Sequence, residues 1–191
     1  TSGEDVKGQY TIAHQELADR PDIWLEPDAV ANPKAIEAIM QADIVVIAPG
    51  NLYGSLGPAL VVDGVGKALM ASAATCVYVC NLVTKPGPTQ GFKVHDFADE
   101  LERMAGYDFL DYVLYNTAHP DAALLSRYAH EGEYGVGVDS DALESRHYRA
   151  KGSDLLSRAV WSGEQAADPL AHARSFTRHN SDAVARQLMR I

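Results

Sequence analysis

Three short apolar runs of this chain each end at small polar residues that could bind an anionic small molecule. The runs cover residues 44–48, 76–80 and 112–115. The residues that follow them are Gly50 with Asn51, then Asn81, and then Asn116. Continuous apolar runs that alternate with helix-like stretches are typical of parallel strands buried on both faces. Because ligands bind beyond the carboxyl ends of such strands, the pattern predicts that Gly50, Asn81 and Asn116 converge on one pocket.

The first of these turns, residues 49–55, has the arrangement of a phosphate-binding turn between a strand and a helix. Gly50 would let backbone N–H groups approach an anion, and the helix dipole favours negative charge there. Asn51 and Ser55 can add side-chain hydrogen bonds. The segment matches neither GxGxxG nor the Walker A pattern, and a strand-to-helix turn with an ordinary cap explains the spacing equally well.

The second and third turns carry side chains that could recognise a sugar, a base or a phosphate. The amide of Asn81 can bind a sugar hydroxyl or a base edge, and Thr84 and Lys85 could reach a phosphate. On the residues alone, a loop in which Asn81 binds its own backbone is the favoured alternative. The same alternative applies to Asn116.

Near the end of the chain, Arg178 directly precedes the stretch expected to form the last helix. A guanidinium there could clamp a diphosphate, although a surface arginine is the simpler interpretation. An arginine is electrostatically unfavourable at a helix N-terminus, and this favours a bound anion. Tyr128 has the helical spacing typical of a core or interface residue. No catalytic triad order, His/Cys metal cluster or close carboxylate pair is visible, so the chain offers binding groups without an obvious nucleophile or base.

Composition narrows the class of protein. The 191 residues, 47% of them hydrophobic, suit a single α/β domain over residues 1–191, with an irregular excursion expected at 141–176. The net charge of −10 argues against binding to nucleic acid. No apolar run has the roughly 20 residues of a membrane span.

Cys76 and Cys80 would lie about 13 Å apart along one strand, which is too far for a disulfide. The spacing therefore predicts a buried, reduced pair in a cytoplasmic protein.

The order of predicted elements indicates a Rossmann-like three-layer α/β fold with a mostly parallel sheet. Helices are expected from Pro33 with Asn32 as N-cap, from a start near Ser55 or Pro58 through Met70, and from His95 or Asp96 to Gly106. Two more are expected after Pro120 and from Ser181 as N-cap. Weaker strand candidates cover residues 6–12, 22–26 and 135–138.

The motifs around these turns resemble those of the YvcK/CofD-like family, which takes in bacterial gluconeogenesis factors and 2-phospho-L-lactate transferases. Residues 46–61, VIAPGNLYGSLGPALV, are similar to the family segment IGPGSLYTSLLPNLLV. Residues 79–92, VCNLVTKPGPTQGF, are similar to VCNLMTQPGETDGF. Residues 111–116 follow its DYVLVNN motif, residues 127–128 and 131–132 follow RYxxEG, and residues 177–180 follow IRHD. The second motif is that of the gluconeogenesis-factor branch.

This resemblance implies a cytoplasmic protein that binds a nucleotide-sugar of the UDP-N-acetylglucosamine kind, or another phosphorylated small molecule, and regulates carbon flux into the cell envelope and cell shape. It implies no certain cofactor, no resident metal, and neither a nucleic-acid nor a membrane partner. The ligand-binding positions carried over are Gly50, Asn51, Tyr53, Ser55, Asn81, Thr84, Asn116, Tyr128 and Arg178.

Two further functions stay open. One is a phosphotransferase like the 2-phospho-L-lactate enzymes, for which Mg²⁺ would be expected. Asn51, Pro88, Gln90 and Asn180 depart from the family pattern, and the lost carboxylates lower that expectation. The other is a non-catalytic scaffold fragment. The family's N-terminal strand and GGGTG turn have no counterpart here, so we expect a fragment, or a fold completed by another polypeptide, with an open sheet edge that favours homo-oligomers.

Overall fold

A four-stranded parallel sheet forms the centre of the molecule. The computed structural model describes residues 5–8, 11–12, 20–120, 126, 129–130, 132–158 and 178–191. The strands are β1 (Ile44–Ile47), β2 (Thr75–Val79), β3 (Tyr112–Asn116) and β4 (Arg149–Ser153), and they lie side by side in chain order. The predicted α/β fold with a parallel sheet is therefore confirmed, and the first three strands lie where the apolar runs place them.

The pairing register brings the carboxyl ends of the strands to one edge. Ile47 pairs with Tyr78 and Val79 pairs with Leu114. At the far side of the sheet, Asn116 at the end of β3 pairs with Ser153 at the end of β4. The turns that follow β1 and β2 are therefore neighbours in space.

Each face of the sheet is covered by a different layer, which produces the three-layer arrangement. On one face Cys76, Tyr78 and Cys80 join a large apolar cluster with Phe97 and Leu101. On the other face, the described part of the smaller cluster consists of Val77, Val79, Leu114 and Leu155, packed against Val184, Leu188 and nearby residues of the C-terminal helix. Cys76 and Cys80 are both free and buried, as predicted.

The helices lie between and beside the strands. In the described part of the chain they include α1 (Pro33–Gln41), a π-helical turn (Leu52–Leu56), α2 (Gly57–Leu60), α3 (Val65–Ala71), α4 (Val94–Ala105), α5 (Ser140–Glu144) and α6 (Ser181–Leu188). Asn32 caps α1, because its Oδ1 accepts the Lys34 N–H at 2.9 Å. Gly106 ends α4 in the left-handed region, with φ of +76°. None of the helices in the described ranges is long and apolar enough to cross a bilayer.

Several predicted elements differ from the structure. Residues 22–26 form no strand, and Trp24 is 56% exposed. Residues 135–138 form only isolated bridges, between Val83 and Gly135 and between Lys93 and Gly137. The cap of α6 is Asn180, one residue before the predicted Ser181, and its Oδ1 accepts the Ala183 N–H at 3.0 Å.

Other predictions fall partly outside the described residues. The candidate strand at 6–12 includes residues 9–10, which are not described, and the described remainder forms no strand. Most of the helix expected after Pro120 also lies outside them. The first part of the 141–176 region contains most of α5 and all of β4, and residues 159–177 lie outside the described part of the chain.

Candidate functional site

A cavity of about 480 Å³ lies beyond the carboxyl ends of β1 and β2. The loop after β1 contributes Gly50, Asn51 and Tyr53 to its lining. The loop after β2 contributes a second group, which includes Asn81, Leu82 and Lys85. Arg178 and His179, just before α6, contribute a third group. Three segments that are distant in sequence therefore meet at the edge where a parallel sheet commonly binds ligands.

The side chain of Asn81 joins the first two loops. Its Nδ2 donates to the carbonyl oxygen of Gly50 at 2.8 Å. Its Oδ1 accepts a hydrogen bond from the hydroxyl of Tyr78 at 3.0 Å. Tyr78 is fully buried, and this burial raises the pKa of its hydroxyl well above the usual value. Because a core tyrosine fixes the amide, Asn81 keeps one N–H to offer a ligand.

Asn51 holds the turn after β1 in place. Its Oδ1 accepts the Gly54 N–H at 2.8 Å, and its backbone oxygen accepts the N–H groups of Ser55 and Leu56 at 2.9 and 3.0 Å. The Nδ2 of Asn51 makes none of these bonds and can donate to a ligand. A Cβ atom added at Gly50 would lie 3.2 Å from Leu56 Cδ2, so a larger residue at this position requires the Leu56 side chain to shift.

Tyr53 lines the cavity while its hydroxyl binds a carboxylate in the core. The hydroxyl donates to Glu100 Oε1 at 2.8 Å, and Glu100 is 0% exposed. Arg103 donates to both oxygens of Glu100, from Nε at 2.9 Å and from Nη2 at 2.7 Å. Burial, followed by the hydrogen bond to Glu100, raises the pKa of Tyr53. The turn after β1 is thereby anchored to α4, and the Tyr53 hydroxyl is already engaged.

His179 is fixed against the end of β2. Its Nε2 lies 3.1 Å from the carbonyl oxygen of Cys80. Burial lowers the pKa of the imidazole, and the bond to Cys80 opposes this shift only in part. The backbone on either side is also held, since Ser157 N–H donates to Arg178 O at 2.8 Å and Asn180 N–H donates to Leu155 O at 2.7 Å. The ring is therefore neutral at pH 7 and has a defined orientation.

Lys85 also lines the cavity and is paired with Glu133. Glu133 is 5% exposed, and its Oε2 has no hydrogen-bond partner among the described residues. The backbone beside this pair is fixed by the Thr84 N–H, which donates to Tyr134 O at 2.8 Å. The described lining thus includes the cations Lys85 and Arg178 and contains no Asp or Glu.

Five of the nine ligand-binding positions expected from the family motifs line this cavity: Gly50, Asn51, Tyr53, Asn81 and Arg178. Ser55 is exposed outside it. Thr84 is 2% exposed, and its hydroxyl lies 3.3 Å from the Tyr134 carbonyl oxygen, to which it donates. Tyr128 lies outside the described residues.

Asn116 also makes local contacts in place of lining the cavity. Its Nδ2 donates to Ala118 O at 2.7 Å, and its Oδ1 accepts the Leu155 N–H at 3.1 Å. Gly50 and Asn81 are therefore brought together as the strand pattern predicts, while the Asn116 side chain holds the backbone that follows β3 and β4.

Sequence reasoning missed His179 and the apolar part of the lining, which includes Leu82, Val83 and Phe97. Phe97 belongs to α4, whose helical periodicity indicates only a core residue. The available signal for His179 was its position next to Arg178, before a capped helix.

The described lining does not fit Mg²⁺, because that ion is held mainly by carboxylates and none is present there. Glu102, Asp108 and His147 do offer ligand atoms within 4.8 Å of one another. They line a different, open cavity of about 730 Å³ that shares no lining residue with the first. Glu102 already accepts the N–H groups of Phe109 and Leu110 at 2.8 and 2.9 Å, so this carboxylate has a structural role.

Comparison with known proteins identifies the relatives of this chain. Residues 1–156 match the family model described as 2-phospho-L-lactate transferase CofD. A protein from Thermotoga maritima is 38% identical over 143 residues, which are 75% of this chain and 45% of that protein. A protein from Nostoc sp. is 35% identical over 191 residues, covering 98% of this chain and 39% of that protein. Both carry the name "Putative gluconeogenesis factor".

Two crystal structures of a Bacillus halodurans protein share the fold. One superposes with a TM-score of 0.80 at 26% identity, covering 96% of this chain and 55% of that one. The other, described as a member of the upf0052 family, has a TM-score of 0.72 at 27% identity and covers 84% of this chain and 46% of that one. The chain thus spans about half the length of these proteins or less. The matched model and the relatives show that this chain belongs to the YvcK/CofD-like family, as its motifs predict.

Proposed function

We propose that this protein binds a nucleotide-sugar of the UDP-N-acetylglucosamine kind in the cavity beyond β1 and β2, and that it acts in the cytoplasm as a regulator of carbon metabolism and cell-envelope synthesis. The observation that carries the proposal is the composition of the described lining, which combines cations and amide donors with an apolar wall and includes no carboxylate.

A diphosphate would be attracted to the donor groups of the lining. Arg178 and Asn51, whose Oδ1 is occupied by the Gly54 N–H, both belong to it. Guanidinium groups bind phosphate oxygens in a bidentate manner. A carboxylate in the lining would repel the phosphates, and the described lining has none.

A base or sugar ring would pack on the apolar residues of the lining. Leu82, Val83 and Phe97 are among them, and Asn81 directly precedes Leu82. The volume of about 480 Å³ is within the range of about 300–1,000 Å³ typical of small-molecule sites. A ligand with an anionic part and a ring part suits a lining that contains both cations and apolar side chains.

The second candidate function is phosphotransfer, and the observation that favours it is the name of the matched family model. The described lining provides no carboxylate for Mg²⁺, and binding without turnover is therefore the better-supported function. A non-catalytic scaffold is the third, and it predicts that the cavity is dispensable.

Isothermal titration calorimetry with UDP-N-acetylglucosamine, UDP and free N-acetylglucosamine tests the proposal. We expect the first two ligands to bind and the free sugar to bind far more weakly, because it lacks phosphates. Asn81→Ala should weaken binding, whereas Ser55→Ala, an exposed position outside the cavity, should not. The absence of heat and of a thermal shift at millimolar UDP-sugar would overturn the proposal, and metal-dependent product formation would favour the transferase.

A further inference from the structure

The imidazole of His179 offers a hydrogen-bond acceptor to the cavity among groups that mostly donate. We infer that His179 determines ligand specificity by accepting, at Nδ1, a hydrogen bond from an O–H or N–H group of the bound ligand. The inference rests on the proposed function, because it names the chemistry by which that cavity would select its ligand. The donor would be a sugar hydroxyl or the imide N–H of a pyrimidine.

The position of the ring follows from contacts on two sides. Nε2 meets the carbonyl oxygen of Cys80 at 3.1 Å, and Cys80 is buried directly after β2. On the backbone side, His179 forms an antiparallel bridge with Leu156, next to the bond from Asn180 N–H to Leu155 O. These contacts hold the imidazole at the cavity while α6 begins two residues later.

The contact with Cys80 also decides which nitrogen carries the proton. A carbonyl oxygen can only accept a hydrogen bond, so Nε2 must be the donor. In a neutral imidazole the other nitrogen is then an acceptor. Within the described part of the chain, Nδ1 has no hydrogen-bond partner, and it is not among the buried polar atoms left without one. Because the ring lines the cavity, Nδ1 is available to a ligand.

The surrounding groups make this acceptor selective. Lys85 and Arg178 carry only donors, and Asn51 presents its Nδ2 because its Oδ1 is occupied by the Gly54 N–H. Such groups attract phosphate oxygens without distinguishing one phosphorylated compound from another. A site with an oriented acceptor rejects an analogue that lacks the matching donor, since the buried group would then remain unpaired.

Two substitutions separate the two nitrogens of His179. His179→Gln can keep an N–H donor near the Nε2 position, facing Cys80, and removes the acceptor at the Nδ1 position. His179→Asn can place an amide oxygen near the Nδ1 position and removes the donor to Cys80. The first variant preserves the anchor and the second preserves the acceptor, so they form a matched pair.

Calorimetry with UDP-N-acetylglucosamine and with UDP measures the effect. We expect His179→Gln to weaken binding of the UDP-sugar about tenfold, the equivalent of one good hydrogen bond, and His179→Asn to bind more tightly than His179→Gln. A loss confined to the UDP-sugar assigns the donor to the sugar, and an equal loss with UDP assigns it to the nucleoside.

Three results would overturn the inference. If the wild type binds and His179→Gln binds equally well, the role of His179 fails while the proposed function stands. If the wild type binds neither ligand, the proposed function fails and the inference fails with it. Nitrogen-15 chemical shifts of the ring in the ligand-free protein provide a test without variants: protonation at Nε2 supports the inference, and protonation at Nδ1 contradicts it.

Discussion

The side-chain amide of Asn81 donates to the carbonyl oxygen of Gly50 at 2.8 Å and so connects the turns that follow β1 and β2. This bond crosses between neighbouring parallel strands at the edge where the cavity opens. Because Tyr78 donates to the other end of the same amide, a residue of the core sets the orientation of a residue at the site. Packing of the sheet and geometry of the cavity are therefore coupled through one side chain.

Replacing Asn81 should test this coupling. Asn81→Ala removes the bond to Gly50 and leaves the buried Tyr78 hydroxyl without this acceptor, so we expect the free energy of unfolding to fall by about 1–3 kcal/mol. Asn81→Asp keeps an acceptor for Tyr78 but places a negative charge beside the proposed phosphate site. Nucleotide affinity should therefore fall further in the aspartate variant than in the alanine variant, as calorimetry can measure. Urea denaturation gives the stability, with Ser55→Ala as the control.

The Tyr53, Glu100 and Arg103 cluster should dominate the stability of the turn after β1. Glu100→Gln disturbs a fully buried carboxylate that accepts bonds from both neighbours, and we expect a loss of about 3 kcal/mol. This is the low end of the range for a buried pair, because Arg103 retains contact with water. Tyr53→Phe should cost only about 1 kcal/mol, since Arg103 still satisfies Glu100.

The double variant Tyr53→Phe/Glu100→Gln completes a thermodynamic cycle. If the three side chains act as one network, the combined loss measured by urea denaturation should differ from the sum of the single losses. Strict additivity would contradict the coupling of Tyr53 to Glu100.

Gly66 should tolerate no side chain. A Cβ atom there would lie 2.0 Å from the backbone oxygen of Ala105, where α3 approaches the end of α4. Since backbone must move to relieve this contact, Gly66→Ala should destabilise the protein by about 3 kcal/mol. Gly135→Ala is the matched control, because no atom lies within 4 Å of its added Cβ and its φ is not positive. Equal midpoints of thermal unfolding for the two variants would refute this account of the α3–α4 contact.

The parts of the fold that were predicted from sequence are those whose burial leaves an apolar pattern. Strands β2 and β3 and helix α4 were found in this way, and Asn32 and Gly106 marked helix ends through their capping chemistry. Strand β1 was also found from its apolar run, but the expected burial on both faces is wrong for it, because Ile44 and Val46 are 39% and 38% exposed. Strand β4, by contrast, reads Arg-Ala-Lys-Gly-Ser and has no fully buried residue. It is defined by backbone pairing with β3 at the side of the sheet, which leaves no hydrophobic signal in the sequence.

The site was predictable to the extent that it depends on strand order. Gly50 and Asn81 meet because their strands are neighbours, which parallel-sheet topology dictates. The same reasoning does not reveal which partners an amide side chain will bind. The Asn116 amide is hydrogen-bonded to the backbone of Ala118 and Leu155 and not directed to the cavity. Nor could local pattern place His179, which reaches Cys80 across 99 positions of sequence.

The two cysteines should be unreactive in the folded protein. Burial raises the pKa of Cys76 to about 11 and that of Cys80 to about 12. Because the thiolate is the reactive form, a disulfide reagent at pH 8 should titrate neither thiol in buffer and both in denaturant. Rapid labelling of the native protein would show that β2 opens readily, contrary to its position in the centre of the sheet.

The pH dependence of stability should report on His179. Its pKa in the folded state lies below the usual 6.5, because burial disfavours the charged ring. Below pH 6.5 the unfolded chain therefore binds a proton that the folded state does not. The free energy of unfolding should consequently decrease as the pH is lowered, until the pH passes the folded-state pKa. Burial shifts Glu102 in the opposite direction, raising its pKa, so this group stabilises the folded state towards low pH. Because wild type and His179→Gln share Glu102, the difference between them isolates the histidine. Urea denaturation from pH 8 to 5 should show a shallower loss of stability in His179→Gln, and parallel profiles would mean that the imidazole takes up its proton equally well in both states.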